Sequence, residues 1–482
     1  MDQLFKRNFL KGSTAATIGT VSTMVFHFGS LMLLTRYLSK DEFGIYALIL
    51  VIVYLFSIIG GFGLEYTLVK FISTDKEEEQ KSVLVPILIL RGISLLLVSV
   101  IFIFAGRFIL HYFDIRITKY IIYIPILFVI TSFRDLLFNL LQALNLFRKL
   151  AVIQTVSAAL RLAMIFVFLF LHKLNLQSLI FIEMSSSILA LILQIFTTPM
   201  KALIDFRQNI SSYVRIIKFC TPLYMNNLLT FSYDRVSIFI VGAYLTPISV
   251  AYFDVAGRIP DAMKRVFGSF TIVFFPNMAK LFSIGDKRSA ELLLNKSLVV
   301  FSNVLMLFVL LSFIFSREIV GIMFSARYLD SSLGFSLLIF NFYLRALSNI
   351  MGYSLVSAGL ASVPVKAGTI SSVISIAGSF ILIPIFGFIG AIYSTLAMSI
   401  IAQVSYTYFM KKADIRVNSF EYLKPLIVLT VILVVYYLIN ADSMVIKLIT
   451  VAIYLAASSI FIKEIKIISQ SVMRFIPHFR PN

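Results

Sequence analysis

Apolar runs of about 20 residues, separated by short polar clusters, follow one another along this chain of 482 residues. A helix of that length spans the ~30 Å hydrocarbon core of a lipid bilayer. The chain is 60% hydrophobic and only 13% charged, whereas soluble domains carry about 25% charged residues. The pattern excludes a water-soluble fold and predicts one membrane-embedded, all-α unit.

The number of apolar runs predicts a polytopic protein of about fourteen transmembrane helices. The run 425–439 is short, and Asn440 and Asp442 follow it, so about twelve or thirteen spans also fit. The first run, 12–35, is too long for the apolar core of a signal peptide, and no small-residue cleavage site follows it before Arg36. We expect the first helix to be retained.

Lysine and arginine are concentrated in alternate loops. The stretch 201–218 contains four of them, whereas the opposite loops hold isolated residues such as Lys173. The positive-inside rule then predicts that both termini are cytoplasmic. Because topology explains most of the formal net charge of +19, nucleic-acid binding is not predicted.

Two segments of the chain resemble each other and predict an internal repeat. Residues 34–48, LTRYLSKDEFGIYAL, can be laid on residues 241–255, VGAYLTPISVAYFDV, so that Tyr37 lies over Tyr244. Two six-helix lobes of the same orientation follow from this pairing. The predicted parts are an N-terminal lobe 1–200, a cytoplasmic linker 201–218, a C-terminal lobe 219–410, and a C-terminal helix pair and tail 411–482.

Three stretches of the sequence are similar to a known family: LLTRYLSKDEFGIYAL, GGFGLEYTLVKF and PLYMNNLLTFSYDRVSIFIVGAYLTPISVAYFDVAGRI. Through them the chain resembles the polysaccharide transporter (Wzx-type) family of O-antigen and capsule flippases, whose superfamily also holds MATE drug exporters and lipid II flippases. The resemblance implies a V-shaped pair of lobes around a cavity, alternating between inward-open and outward-open states in the bacterial inner membrane. It also implies a monomer that carries oligosaccharide linked to undecaprenyl diphosphate, with membrane lipids, a polysaccharide polymerase and glycosyltransferases as candidate partners.

Ionisable residues inside predicted spans are the candidate functional residues, because a charge near the bilayer centre normally faces the bundle interior or a watery cavity. Cations exceed carboxylates among them, and the arginine fork binds phosphate oxygens in bidentate fashion. We therefore predict a cationic cavity for an anionic diphosphate headgroup. The candidate substrate-binding residues are Arg134, Arg161, Arg235, Arg258, Lys264, Arg265 and Arg345.

A structural interpretation competes with this one, because buried charges in proteins are usually paired. Asp135 or Asp234 could neutralise a nearby arginine in such an ion pair. Arg91 lies close to a span end, where we expect its side chain to snorkel to the interface.

His27 and Asp234 are the candidate coupling residues. The offset that aligns the two repeat segments places His27 opposite Asp234. Either group could exchange a proton as the cavity changes side. A histidine on an apolar helix face is more often a packed residue than a proton site, and the neighbouring Arg235 would hold Asp234 ionised.

Three functions compete for this architecture. A flippase for lipid-linked oligosaccharide suits the excess of cations. A MATE-like exporter of organic cations predicts a cavity rich in carboxylates and aromatic residues. An integral-membrane polymerase or glycosyltransferase needs a sizeable external loop, and no outward loop exceeds about 15 residues on the predicted spans.

Motifs for chemistry are missing from the sequence. Neither a phosphate-binding loop nor a zinc-protease or serine-hydrolase motif occurs. Cys220 is the only cysteine, which excludes an intramolecular disulfide and a multi-cysteine metal site. We therefore predict a transporter without a catalytic residue, metal or cofactor.

The topology is tested by labelling single cysteines introduced at Ser39 and Ser283 in intact cells. An impermeant thiol reagent should reach position 39 from outside and miss position 283, because the alternation of lysine- and arginine-rich loops places the second on the cytoplasmic side and the first on the opposite side. The parent chain, with Cys220 alone, gives the background. The reverse labelling pattern would contradict the topology.

Overall fold

The computed structural model describes residues 2–72, 77–111, 113, 115–199, 210–360, 362–439 and 443–458. The regular elements in these ranges are all helical, which confirms the all-α prediction. Two are 3₁₀-helices, Ile115–Tyr120 and Ala326–Ser331. The α-helices are α1 Asp2–Tyr37, α2 Lys40–Gly61, α3 Leu64–Ile72, α4 Glu77–His111, α5 Tyr123–Ala143, α6 Phe147–Phe170, α7 Leu176–Thr197, α8 Ile210–Asp234, α9 Val236–Tyr244, α10 Pro247–Ser283, α11 Lys287–Ile314, α12 Ser316–Phe324, α13 Ser332–Ser357, α14 Ser362–Phe386, α15 Phe388–Lys412, α16 Ser419–Ile439 and α17 Met444–Ser458.

Ten of the helices in the described ranges are long and apolar enough to cross a membrane. An eleventh span is added if Pro247–Gly268 and Val273–Ser283, bent by 43°, are taken together. The prediction of a polytopic helical protein is confirmed. The count of about fourteen stays a prediction, since α17 is shorter than a full span and neither α1 nor α8 is among the ten.

Hydropathy predicts the apolar runs 43–64 and 219–245 as one span each, but a break interrupts both, and in this detail the sequence prediction is wrong. The run 219–245 forms two helices: α8 ends at Asp234, and α9 begins at Val236. The run 43–64 ends early at Gly61. The next turn requires Gly63, whose φ is +71° and whose added Cβ would lie 2.9 Å from the Cys220 carbonyl oxygen.

The chain divides into two compact units. Unit 1 comprises Met1–Asp254 and Ser379–Ala391, and unit 2 comprises Val255–Gly378 and Ile392–Asn482. In this division α8 and α9 fall within unit 1. The lobe boundaries at 1–200, 201–218, 219–410 and 411–482 stay a prediction.

Unit 1 has an apolar core between α3, α4, α5 and α8. Leu64 and Leu68 are four positions apart on the short helix α3 and so share its buried face. There they pack with Leu140 of α5 and Ile216 of α8. Helix α1 packs along α6, and α7 packs against both α5 and α6. These contacts bring four helices, α1, α5, α6 and α7, around a common space.

The two repeat segments lie against each other in unit 1. Lys40 donates from Nζ to the hydroxyl of Tyr252 over 2.7 Å. A Cβ at Gly44 would collide with the backbone of Pro247, so only glycine permits this approach. Residues 34–48 and 241–255 are therefore in direct contact, through the first turns of α2 and α10.

Arg91 is wholly buried in unit 1, so the prediction that it snorkels is wrong. Its guanidinium is ion-paired with Glu65 and donates from Nη2 to the Ser132 carbonyl over 2.9 Å. Room for it exists because Gly61 has no Cβ; an added one would lie 2.7 Å from Nη1. Nε and Nη1 of Arg91 find no acceptor in the described part of the chain.

Unit 2 is held together by hydrogen bonds between its helices. Ser302 of α11 donates to the Tyr422 carbonyl of α16 over 2.5 Å, and Ser399 of α15 donates to Asn341 of α13 over 2.6 Å. At the start of α11, hydrogen bonds from Ser289 hold the pKa of Asp286 below its usual range.

Replacing Glu65 with Gln should lower the free energy of unfolding by about 3–5 kcal/mol, because it leaves the buried Arg91 charge without a counter-ion. Thermal unfolding in detergent measures this. Glu421→Gln is the control, since Glu421 pairs with Lys424 in a more accessible site and such pairs contribute about 0.3–0.5 kcal/mol. Equal losses in the two variants would contradict the prediction. The double variant Glu65→Gln, Arg91→Met should recover most of the stability.

Candidate functional site

A polar cavity of about 200 Å³ lies in unit 1 between α1, α5, α6 and α7. It brings together three residues that the sequence singled out, His27, Arg134 and Arg161. Helical spacing explains the lining, because residues three or four apart share one face. On α7 this face carries Glu183, Ser186, Ala190 and Gln194, and on α6 it carries Gln154, Ser157, Ala158 and Arg161.

Arg161 is held in a closed hydrogen-bonded triad. Its Nε donates to Glu183 Oε1 over 2.5 Å, and its Nη2 donates to the Tyr46 hydroxyl over 2.8 Å. That hydroxyl in turn donates to the same Glu183 oxygen over 2.5 Å. Only 11% of the Arg161 side chain and 17% of the Glu183 side chain are exposed. These contacts agree with the structural interpretation offered above, in which a buried arginine pairs with a carboxylate.

Arg134 is paired in a more accessible way. Its Nε and Nη2 donate to Asp135 Oδ1 over 3.1 and 2.9 Å, and its Nη1 donates to the Ser187 hydroxyl over 3.1 Å. One third of the Arg134 side chain and half of the Asp135 side chain are exposed, at 33% and 51%. An incoming anion can therefore reach this guanidinium while its carboxylate partner moves towards water.

Oxygen acceptors line the rest of the cavity. The hydroxyls of Thr23 and Ser157 each donate to the carbonyl one turn earlier, over 2.7 Å, so their lone pairs remain to accept. Gln194 is 2% exposed, and its Oε1 has no hydrogen-bond donor in the described part of the chain. A buried acceptor without a donor is costly, which points to a ligand or water that donates here.

Two residues of this site were missed by the sequence analysis. Tyr46 lies within the repeat segment 34–48, but a tyrosine in a span carries no signal of an ion-pair partner. Gln194 lies at the end of a predicted span, where nothing marks its amide as buried. Only the packing of α2 and α6 on α7 reveals both roles.

Asp234 and Arg235 lie at the break between α8 and α9. The ring of Tyr54 on α2 packs 6.1 Å from that of Phe231, and its hydroxyl interacts electrostatically with Asp234, Arg235 and Asp135. Both residues at the break thus belong to the same unit as the cavity. The described lining of the cavity includes His27 and not Asp234.

The remaining candidate cations lie in unit 2. Arg258, Lys264 and Arg265 are on α10, and Arg345 is on α13. Arg265 is exposed, and the other three are half-buried and make further interactions. That they join Arg134 in binding one headgroup stays a prediction.

The chain is similar to a known protein family and to solved structures. The model of the family described as polysaccharide biosynthesis protein matches residues 33–333. No curated protein matches the chain. Among solved structures, the lipid II flippase MurJ in an inward closed conformation is 18% identical with a TM-score of 0.75, and the match covers 93% of this chain and 99% of that chain.

Two further solved transporter structures also match. An inward-facing multidrug resistance MATE family transporter of the MOP superfamily is 12% identical with a TM-score of 0.65, covering 81% of this chain and 95% of that chain. A MOP superfamily transporter from Pyrococcus furiosus is 12% identical with a TM-score of 0.58, covering 85% and 97%. The structures establish the fold, and the family match covers more than half of the sequence: the chain belongs to the polysaccharide biosynthesis protein family, within the fold of the MOP superfamily transporters.

Proposed function

We propose that this protein is a flippase that moves undecaprenyl-diphosphate-linked oligosaccharide repeat units across the bacterial inner membrane by alternating access. The product would serve O-antigen or capsule synthesis. The observation that carries the proposal is the unit 1 cavity, which combines an accessible guanidinium, Arg134, with the acceptor hydroxyls of Thr23 and Ser157. Phosphate suits the first group and a sugar hydroxyl suits the second.

Arg134 is the proposed phosphate contact. A partly exposed ion pair contributes only about 0–1 kcal/mol, so exchanging Asp135 for a diphosphate oxygen costs little. Arg161 has a different role, because separating it from Glu183 in a nearly buried triad costs several kcal/mol. Arg161 therefore positions the cavity wall and adds positive potential.

The other predicted cations complete the proposal. During the conformational cycle the diphosphate would contact in turn the remaining candidate cations, Arg235, Arg258, Lys264, Arg265 and Arg345. Opening the face at which residues 34–48 meet 241–255 would require the Lys40–Tyr252 hydrogen bond to break. The polyprenyl tail would stay in lipid while the headgroup crosses.

A MATE-like multidrug exporter is the second candidate, favoured by the MATE structures that share the fold and by the carboxylates in the cavity. Asp135 and Glu183 are each engaged by an arginine, which leaves little negative charge for an organic cation. The two pairs are net neutral, so what favours an anionic ligand is the accessibility of Arg134, whose side chain is one-third exposed.

Arg134→Ala should weaken binding of a lipid diphosphate oligosaccharide about 10- to 100-fold, the loss expected for a charge-assisted hydrogen bond of about 1.5–3 kcal/mol. Arg134→Lys should restore it only in part, because lysine lacks the planar fork. Arg265→Ala and Arg345→Ala test the unit 2 residues in the same way. Binding and flipping are measured in proteoliposomes.

Arg148→Ala is the matched control for Arg134→Ala, since it removes an exposed charge from the start of α6 outside the cavity. It should leave both properties unchanged. Unaltered binding by Arg134→Ala would remove Arg134 from the binding role. Transport of organic cations that the lipid diphosphate does not inhibit would favour the exporter.

Proton coupling is proposed for His27 and Asp234. His27 faces the cavity that holds Arg134, Arg161, Asp135 and Glu183, so its protonation changes the potential felt by the headgroup. His27→Ala and Asp234→Asn should each abolish stimulation of flipping by a pH gradient and leave binding largely intact. The control His172→Asn removes an exposed histidine whose φ of +52° asparagine tolerates. Unchanged gradient dependence in both variants would mean that coupling lies elsewhere or that the membrane potential drives transport.

A further inference from the structure

A second cavity of unit 1, of about 400 Å³, lies beside the start of α5, the end of α6 and the start of α7. Its walls are aromatic and apolar, with Tyr123 of α5, Phe168 of α6, and Phe181 and Met184 of α7. Lys173 stands at its polar end. We call this cavity the aromatic groove; it shares no lining residue with the charged cavity described above.

The turn between α6 and α7 fixes the polar end of the aromatic groove. His172 adopts φ +52°, and the Lys173 amide donates back to the Phe168 carbonyl over 2.9 Å. Asn175 and Ser178 then form a reciprocal capping box at the start of α7. Both ends of the turn are locked, so Lys173 is held beside the first turn of α7.

The aromatic groove opens towards lipid. Tyr123 and Phe181 are 42% and 55% exposed, and both belong to helices that are long and apolar enough to span a membrane. The helical rise from Asn175 to Met184 is about 14 Å, close to half of the ~30 Å hydrocarbon core. The groove is therefore as deep as one leaflet.

We propose that the aromatic groove binds an anionic phospholipid, with one acyl chain lying along the contacting rings of Phe168 and Phe181, whose centroids are 6.3 Å apart, and the phosphate beside Lys173. The charge of Lys173 complements a phosphate, and it makes no ion pair within the described residues. Tyr120 and Tyr123, whose rings are 6.4 Å apart, lie at the depth where amphipathic rings meet headgroups. On the predicted topology this is the leaflet facing away from the cytoplasm.

The depth of the groove favours a phospholipid over the polyprenyl tail of the transported substrate. A linear acyl chain ends within one leaflet, whereas a polyprenyl chain is branched and longer than the groove is deep. One lysine also matches a phosphodiester better than a diphosphate. The site is thus independent of the proposed flippase function.

The test exploits the absence of tryptophan from the sequence. Phe181→Trp places a single fluorophore in the groove, in proteoliposomes containing either brominated phosphatidylglycerol or brominated phosphatidylcholine. The anionic lipid should quench at about fivefold lower mole fraction, the preference expected of one lysine near a membrane surface. Lys173→Gln should abolish this preference. Phe168→Trp on the opposite wall repeats the measurement in case the new indole at 181 fills the groove.

Ile381→Trp is the control, because Ile381 is 63% exposed on α14 and no lysine or arginine lies within ten positions of it in the sequence. Both lipids should quench it equally. Equal quenching at 181 and 168, or a preference that survives Lys173→Gln, would overturn the proposal. Relief of quenching by unlabelled polyprenyl phosphate at lower concentration than by unlabelled phosphatidylglycerol would assign the groove to the substrate tail and also overturn it.

Discussion

An ion inside the hydrocarbon core costs several kcal/mol unless a partner or water accompanies it, and this cost orders the charged residues of unit 1. The Arg91 side chain is wholly buried, that of Arg161 is 11% exposed, and that of Arg134 is one-third exposed. The three pairs share one chemistry and differ in their access to water. An ion pair exchanges its partner more readily as it becomes more exposed. This difference is the reason for proposing a ligand-binding role for Arg134 and a structural role for Arg91 and Arg161.

The backbone obeys the same constraint, since irregular segments at membrane depth must keep their polar groups satisfied. At the end of α2 the Phe62 amide still donates to Ile58, and at the α8–α9 break the Arg235 amide donates to Phe231 over 2.8 Å. At each break the amide that follows the helix therefore keeps its hydrogen bond to the preceding turn. The first turns α3 so that Glu65 reaches Arg91, and the second keeps Asp234 close to Tyr54.

Much of this arrangement could be predicted from the sequence, because hydropathy and the cost of buried charge are local properties. His27, Arg134 and Arg161 were selected as intramembrane charges, and they do share a cavity. The burial of Arg91 could not be predicted, since it depends on a space left by Gly61 on another helix. The role of Tyr46 likewise depends on a contact between residues 137 positions apart in the sequence.

The balance of donors and acceptors in the charged cavity narrows the class of ligand. Guanidinium groups can only donate hydrogen bonds. The hydroxyls of Thr23 and Ser157 already donate to backbone carbonyls, so they can only accept further hydrogen bonds. An organic cation could not accept hydrogen bonds from the arginines. The carboxylates that could bind it already pair with those arginines. A phosphorylated sugar carries acceptor oxygens and donor hydroxyls on one headgroup. It is the simplest ligand class that would satisfy both Arg134 and the buried Gln194 oxygen together.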